Sequence, residues 1–291
     1  MRSVPLLAIA GLAAITVPAA AQDWRTVTTS RQLHGEEEFV ASVKFLSGTI
    51  RVFPADDRTL YKAEMRYDAD QFRPLNRFST GSSYLRIGLD GEDFKGDLDL
   101  DELSPQFLDL ALPLAIPTNL RLEFGVARAD IELGGVAISK VFVQTGASET
   151  SIRFSTRNNT DCSRIDLKVV GARLDLEGLG NSRCQRVEVT GGAGDITLDF
   201  TGSWLEGAHM RVEAKIGLGQ LTLVIPQDLG VLLDLDRFLV SFDKAGFIQR
   251  GSDRSRWYSP NFGDASAQVE ISINAAIGDV DVVWVKQEPR Q

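Results

Sequence analysis

The sequence repeats with a period of about 22 residues, and that period limits the fold more than any other feature. Each unit is a short run of alternating apolar residues, a glycine or small-residue corner, and a second alternating run. Leu120-Arg-Leu122, Gly125 and Ile131-Glu-Leu133 form one copy, and Val141-Phe-Val143, Gly146 and Ile152-Arg-Phe154 the next. Ile165-Asp-Leu167, Gly171 and Leu174-Asp-Leu176 follow, then Val187-Glu-Val189, Gly192 and Ile196-Thr-Leu198. Met210-Arg-Val212, Gly217 and Leu221-Thr-Leu223 precede the last copy, Val269-Glu-Ile271, Gly278 and Val280-Asp-Val282. Successive starts lie 21, 24, 22 and 23 residues apart, then 59 where a segment is inserted. A looser copy, Val43-Lys-Phe45, Gly48 and Ile50-Arg-Val52, stands earlier. Units of this size bury an apolar face only by stacking on their neighbours. The expected fold is all-β: a single elongated β-solenoid, β-helix-like, built of strand–corner–strand repeats.

Period-2 alternation and 26 glycines support strands and corners, and no convincing amphipathic helix is found beyond the leader. Residues 1–21 read as a signal peptide: Arg2, an apolar run from Leu6 to Val17 too short to span a bilayer, and Ala19-Ala20-Ala21 before Gln22. Residues 22–291 are then expected to form one β-repeat domain. It divides into an N-terminal β part (38–112), the regular array (113–226), an aromatic insertion (227–268) and a final repeat (269–285). An exported protein, periplasmic or extracellular, with no membrane span in the mature chain, is implied. The whole sequence carries a formal net charge of −9, and loss of Arg2 makes the mature chain more acidic still. Such a surface repels phosphate backbones, so nucleic acid is not an expected partner.

Cys162 stands three positions before Ile165 and Cys184 three before Val187, so the two share one phase of adjacent units. Equivalent residues on stacked strands sit about 5 Å apart, within reach of a disulfide. Export permits that bond.

Little else points to chemistry. The two histidines, His34 and His209, cannot supply a nucleophile–base–orienter set. Gly191-Gly-Ala-Gly-Asp195 approaches a calcium-binding nonapeptide, but Ile196 occupies the place of the ligand aspartate, so a tight corner is the simpler reading. Asp90 to Glu102 holds seven carboxylates, yet Glu102 and Leu108 stand where a calcium loop needs glycine and glutamate. No cofactor or metal site is expected. Asn158-Asn159-Thr160 fits the glycosylation triplet.

The insertion, Gln227 to Gln268, is rich in aromatic residues: Phe238, Phe242, Phe247, Trp257, Tyr258 and Phe262. Two readings stay open. The group covers an exposed end of the array, as terminal repeats require, or it is a contact surface for an envelope protein or glycan.

Several stretches together resemble a known family. They are Leu108-Asp-Leu-Ala-Leu-Pro113, Gly178-Leu-Gly-Asn-Ser-Arg183, Gly191 to Trp204, and Gly217-Leu-Gly with Leu223-Val-Ile-Pro226. Trp257-Tyr-Ser-Pro-Asn261 and Ala276-Ile-Gly-Asp-Val280 complete the set. Over residues 38 to 285 the chain is similar to the toastrack domains, β-repeat modules of LiaF-like cell-envelope stress proteins and of bacterial adhesin-like proteins. The resemblance implies a non-catalytic module of the cell envelope, used in sensing or adhesion, and brings no catalytic residues with it. The alternative is a polysaccharide-active β-helix enzyme, a lyase or hydrolase. That chemistry needs paired carboxylates on neighbouring rungs, and the corner residues Asp130, Ser151, Arg173, Asp195, Gln220 and Asp279 place no two acids side by side.

Overall fold

The computed structural model describes residues 22–91, 105–250 and 255–287. The expected leader and the carboxylates from Glu92 to Glu102 lie outside them. The strands are β1 (Trp24–Gln32), β2 (Phe39–Pro54), β3 (Thr59–Asp68), β4 (Arg73–Ser79), β5 (Tyr84–Asp90), β6 (Phe107–Leu112) and β7 (Thr118–Glu132). They continue as β8 (Ile138–Arg153), β9 (Arg164–Glu177), β10 (Arg186–Asp199), β11 (His209–Pro226), β12 (Gly230–Phe242), β13 (Arg256–Tyr258) and β14 (Gln268–Val285). All fourteen belong to one unclosed sheet ordered β1-β3-β6-β2-β7-β8-β9-β10-β11-β14-β12-β13, with β5 and β4 branching from β2.

From β2 to β12 the neighbours are parallel, one long strand per repeat. The two short runs expected of each unit are therefore one strand, bent at the glycine. The bend shows in the alternation. In β10 the buried residues are Val187 and Val189 before the corner but Ile196 and Leu198 after it, so the inward parity changes from odd to even. A Cβ on Gly191 would stand 2.8 Å from Ile196 Cδ1, which shows how tightly the two arms close on each other there. Stacking aligns these positions into apolar columns, such as Ile165, Val187, Val212, Ile271 and Leu233, all buried. Burying each such side chain favours folding by about 1.5–3 kcal/mol.

Stacking also dictates the corner. Gly194, Gly219 and Gly278 lie side by side on β10, β11 and β14 with φ of +130°, +135° and +134°. A Cβ on Gly219 would fall 1.9 Å from the Gly194 carbonyl oxygen, and one on Gly278 only 1.8 Å from that of Gly219. Both the left-handed backbone and the close approach require glycine here.

One expectation is corrected. In the second arms the register differs by two residues between β8 and β9: Ile152, the partner of Ile131, pairs with Leu176, not Leu174. A shift of two keeps inward residues inward, so alternation alone does not reveal it. The insertion, moreover, contributes a rung. β12 lies outside β14, with Val231, Leu233 and Leu235 against Val269, Ile271 and Ile273, while the final repeat stacks directly on β11.

Candidate contact surface at the outer corner

Toward solvent, the arms are covered by charged columns. One runs Arg128, Glu149, Arg173, Asp195, Gln220 and Asp279 across six rungs. The enzyme argument's corner row thus changes: Arg128 and Glu149 replace Asp130 and Ser151, and the acids still alternate with other residues. Arg128 reaches Glu149 at 3.0 Å, Arg153 reaches Asp130 at 2.5 Å, and Arg211 reaches Glu270 at 3.4 Å. His209 Nε2 also lies 3.2 Å from Glu270, at the start of β11. Exposed pairs of this kind contribute about 0–1 kcal/mol each and chiefly keep both faces of the rack wet. Where the second arms end, burial pushes the Glu177 carboxyl up; neighbouring Arg153 opposes the shift, and Asp175, Asp199 and Glu132 add to it. Among the described residues, no group of three or more His, Cys, Asp or Glu is placed to hold a metal ion.

The corner is different. At its C-terminal end Leu218, Ile277 and Leu239 stand side by side on β11, β14 and β12, exposed by 52%, 47% and 62%. Phe238, beside Leu239, is 80% exposed. The parity change puts them there. A strand that turns this sharply has residues on the outside of the bend that belong to neither inner face, and here those residues are apolar. Single exposed leucines need no explanation, but a laddered row does.

The six aromatic residues of the insertion divide in the structure. Phe242, Phe247 and Trp257 are half-buried against the core, with Phe242 centred 6.2 Å from Phe247 and 5.7 Å from Trp257. Trp284 extends the group, 5.1 Å from Phe247, and its Nε1 donates to the Ala245 carbonyl at 3.0 Å. They close the space between the arms at the last rung. Tyr258 and Phe262 meet edge-to-face at 5.5 Å, half-exposed. Phe238 alone of the six points fully to solvent.

The loops between rungs carry the disulfide. Cys162 and Cys184 are bonded, their Cα atoms 4.1 Å apart, in a parallel bridge that continues the β9–β10 pairing. Beside them lies a ladder that the sequence reading missed. Asn158, 1% exposed, accepts from the Ile138 amide and donates to the carbonyls of Ile138 and Ser182. Asn181, one rung on, donates to Phe154 O and accepts from the Ser203 amide, and its own carbonyl takes the Asn158 N–H. These amides tie together backbone groups at the strand ends and in the loops of neighbouring rungs. Burial removes Asn158 from consideration as a glycosylation acceptor in the folded protein. The 23-residue spacing of the two asparagines was the available signal.

No helix among the described residues is long and apolar enough to cross a membrane. Two family models match. The N-terminal domain of toast_rack covers residues 20–169, and the C-terminal domain of LiaF, described by the cell wall-active antibiotics response, covers 180–282. Protein LiaF of Bacillus subtilis is 26% identical over 100 residues, which are 34% of this chain and 42% of that protein, so the match spans less than half of the relative. Among solved structures, a proposed cell adhesion protein from Clostridium sporogenes aligns at 15% identity over 90% of this chain and all of that one, with a TM-score of 0.47. A proposed adhesin from Bacteroides fragilis aligns at 10% identity over 89% and 97%, with a TM-score of 0.31. With more than half of its length matched by one model, the chain belongs to the toast_rack family.

Proposed function

We propose that the protein is a non-catalytic, exported module of the bacterial cell envelope that acts in sensing or adhesion through contact at its outer corner. The apolar row of Leu218, Ile277, Leu239 and Phe238 carries this reading. Other large apolar side chains are exposed elsewhere, Val170 among them, but these four form a contiguous row, which folding alone does not require. The family fits an envelope setting, and the disulfide fits an oxidising one. Phe242, Phe247 and Trp257 serve the same end indirectly, by closing the last rung so that the corner stays in shape.

Photo-crosslinking in the native envelope tests the proposal. A photoreactive residue at Phe238 or Leu218 should give discrete adducts, whereas one at Glu188 on the charged face should give few. Equal yields from all three positions, or turnover of an envelope polysaccharide abolished by one carboxylate substitution, would contradict it.

A further inference from the structure

The loops between rungs stack less evenly than the strands. The connection from Leu198 to Val212, before β11, is three residues longer than the one from Leu176 to Val187, before β10. The two loops enclose a cavity of about 300 Å³ where the first arms begin, at the other end of those arms from the outer corner. Three consecutive loops line it: Asp161 comes from the first, Arg183 and Gln185 from the second, and Trp204, Leu205 and His209 from the third. These loops are tied to one another. The disulfide joins the first to the second with Cys184 at the cavity wall, and Asn181 joins the second to the third through the Ser203 amide. A site held this way is largely formed before any ligand arrives.

Trp204 supplies an apolar platform. Its Nε1 donates to the Phe200 carbonyl at 2.8 Å, which fixes the ring. The second loop comes against the ring at Gly180, where a Cβ would stand 2.7 Å from Nε1 and 2.9 Å from Cδ1. The indole is half-buried and borders the cavity, with the exposed side chain of Leu205 beside it. The polar groups sit at the rim. Arg183 pairs with Asp161, and His209 Nε2 lies 3.2 Å from Glu270, so the charges there already have partners. Arg183 keeps its place at a φ of +56°, in the left-handed region that non-glycine residues seldom enter. Gln185 is exposed, and its carboxamide makes no hydrogen bond among the described residues.

A fixed indole, a free carboxamide and neutralised charges select the ligand by its chemistry. It needs an apolar face for the ring, donors and acceptors around its edge, and no net charge. A pyranose ring has this character, with C–H groups on its face and hydroxyls at its rim. We infer that the cavity binds an uncharged hexopyranose unit of a polysaccharide, its C–H face on Trp204 and its hydroxyls on Gln185 and the exposed carboxylate of Asp161. The inference is independent of the outer corner, which uses other residues.

Calorimetric titration of the purified full chain with β-1,4-linked tetrasaccharides tests it. The tetrasaccharides of glucose and of N-acetylglucosamine are the uncharged probes, and that of galacturonate is the charged one. At least one uncharged probe should bind with a Kd of about 0.1–1 mM, and galacturonate at least about tenfold more weakly. Binding by only one of the uncharged pair supports the inference and tells a plain sugar from an acetamido sugar. Gln185→Ala should weaken binding by at least about tenfold with an unchanged melting curve, because the side chain is exposed. Trp204→Leu should abolish binding, whereas Glu149→Gln, on the second-arm face, should leave it intact. No binding of either uncharged probe overturns the inference, as does equal binding of galacturonate or undiminished binding by Gln185→Ala.

Discussion

Cys162 and Cys184 show what phase can reveal at the scale of single residues. Both sit three positions before the first inward residue of a unit, and parallel stacking turns equal phase into contact. Closing a loop of 22 residues, the bond should add about 3 kcal/mol on the chain-entropy model. Replacing both cysteines by serine should cost that amount in urea denaturation, and exported protein should show no free thiol by mass spectrometry. Asn158 and Asn181 share a phase in the same way, yet the glycosylation triplet drew attention to the surface while the amide was already committed to buried carbonyls. Glu177 gives a pH test. Burial raises its folded pKa above that of the unfolded chain, so the folded state holds the proton more tightly. Stability therefore falls as pH rises through that window and is not regained above it. Glu177→Gln should be more stable than the parent at neutral pH, and the gap should close well below the ordinary value of 4.5. A variant less stable at neutral pH would show that the attraction to Arg153 outweighs burial.

At the scale of the element, the bent rung combines what alternation tells and what it hides. Inward residues such as Val187, Val189, Ile196 and Leu198 were legible from period 2 alone. That the two runs form one strand was not, because a parity change reads equally well as a loop. The two-residue register difference at β9 escaped for the same reason. Glycine marks the corner for two physical causes, and they predict a sharp contrast. Gly219→Ala should cost several kcal/mol, since its Cβ would collide with the backbone oxygen of Gly194 at a φ of +135°. Gly263→Ala, with nothing within 4 Å of the new methyl, should change stability by less than about 1 kcal/mol. Chemical denaturation of the pair separates a required corner from an incidental glycine.

At the scale of the whole molecule, the period announced a stacked β fold, and the structure is one open sheet. Its ends were less legible. The insertion read as a cover for the end of the array or a contact surface, and Val231, Leu233 and Leu235 make part of it the last rung, a role visible only once β14 is seen to fill the place beside β11. The aromatic group likewise divides by position and not by composition. Trp257→Ala should lower stability by about 2–4 kcal/mol, because it opens the closed end between the arms. Phe238→Ala should change it by less than about 0.5 kcal/mol, since that ring rests on little. Thermal melting of both variants distinguishes closure from contact.

The exposed apolar row exists only because β11, β14 and β12 stack in one register, which brings Leu218, Ile277 and Leu239 into line. Paired cysteines measure that register directly, and all three positions are exposed enough to accept them. Under mild oxidation Leu218→Cys with Ile277→Cys should form an intramolecular disulfide, because the two residues are direct partners on adjacent parallel strands. Leu218→Cys with Asp279→Cys, two positions out of register, should remain reduced. The opposite preference would contradict both the stacking and the surface built on it.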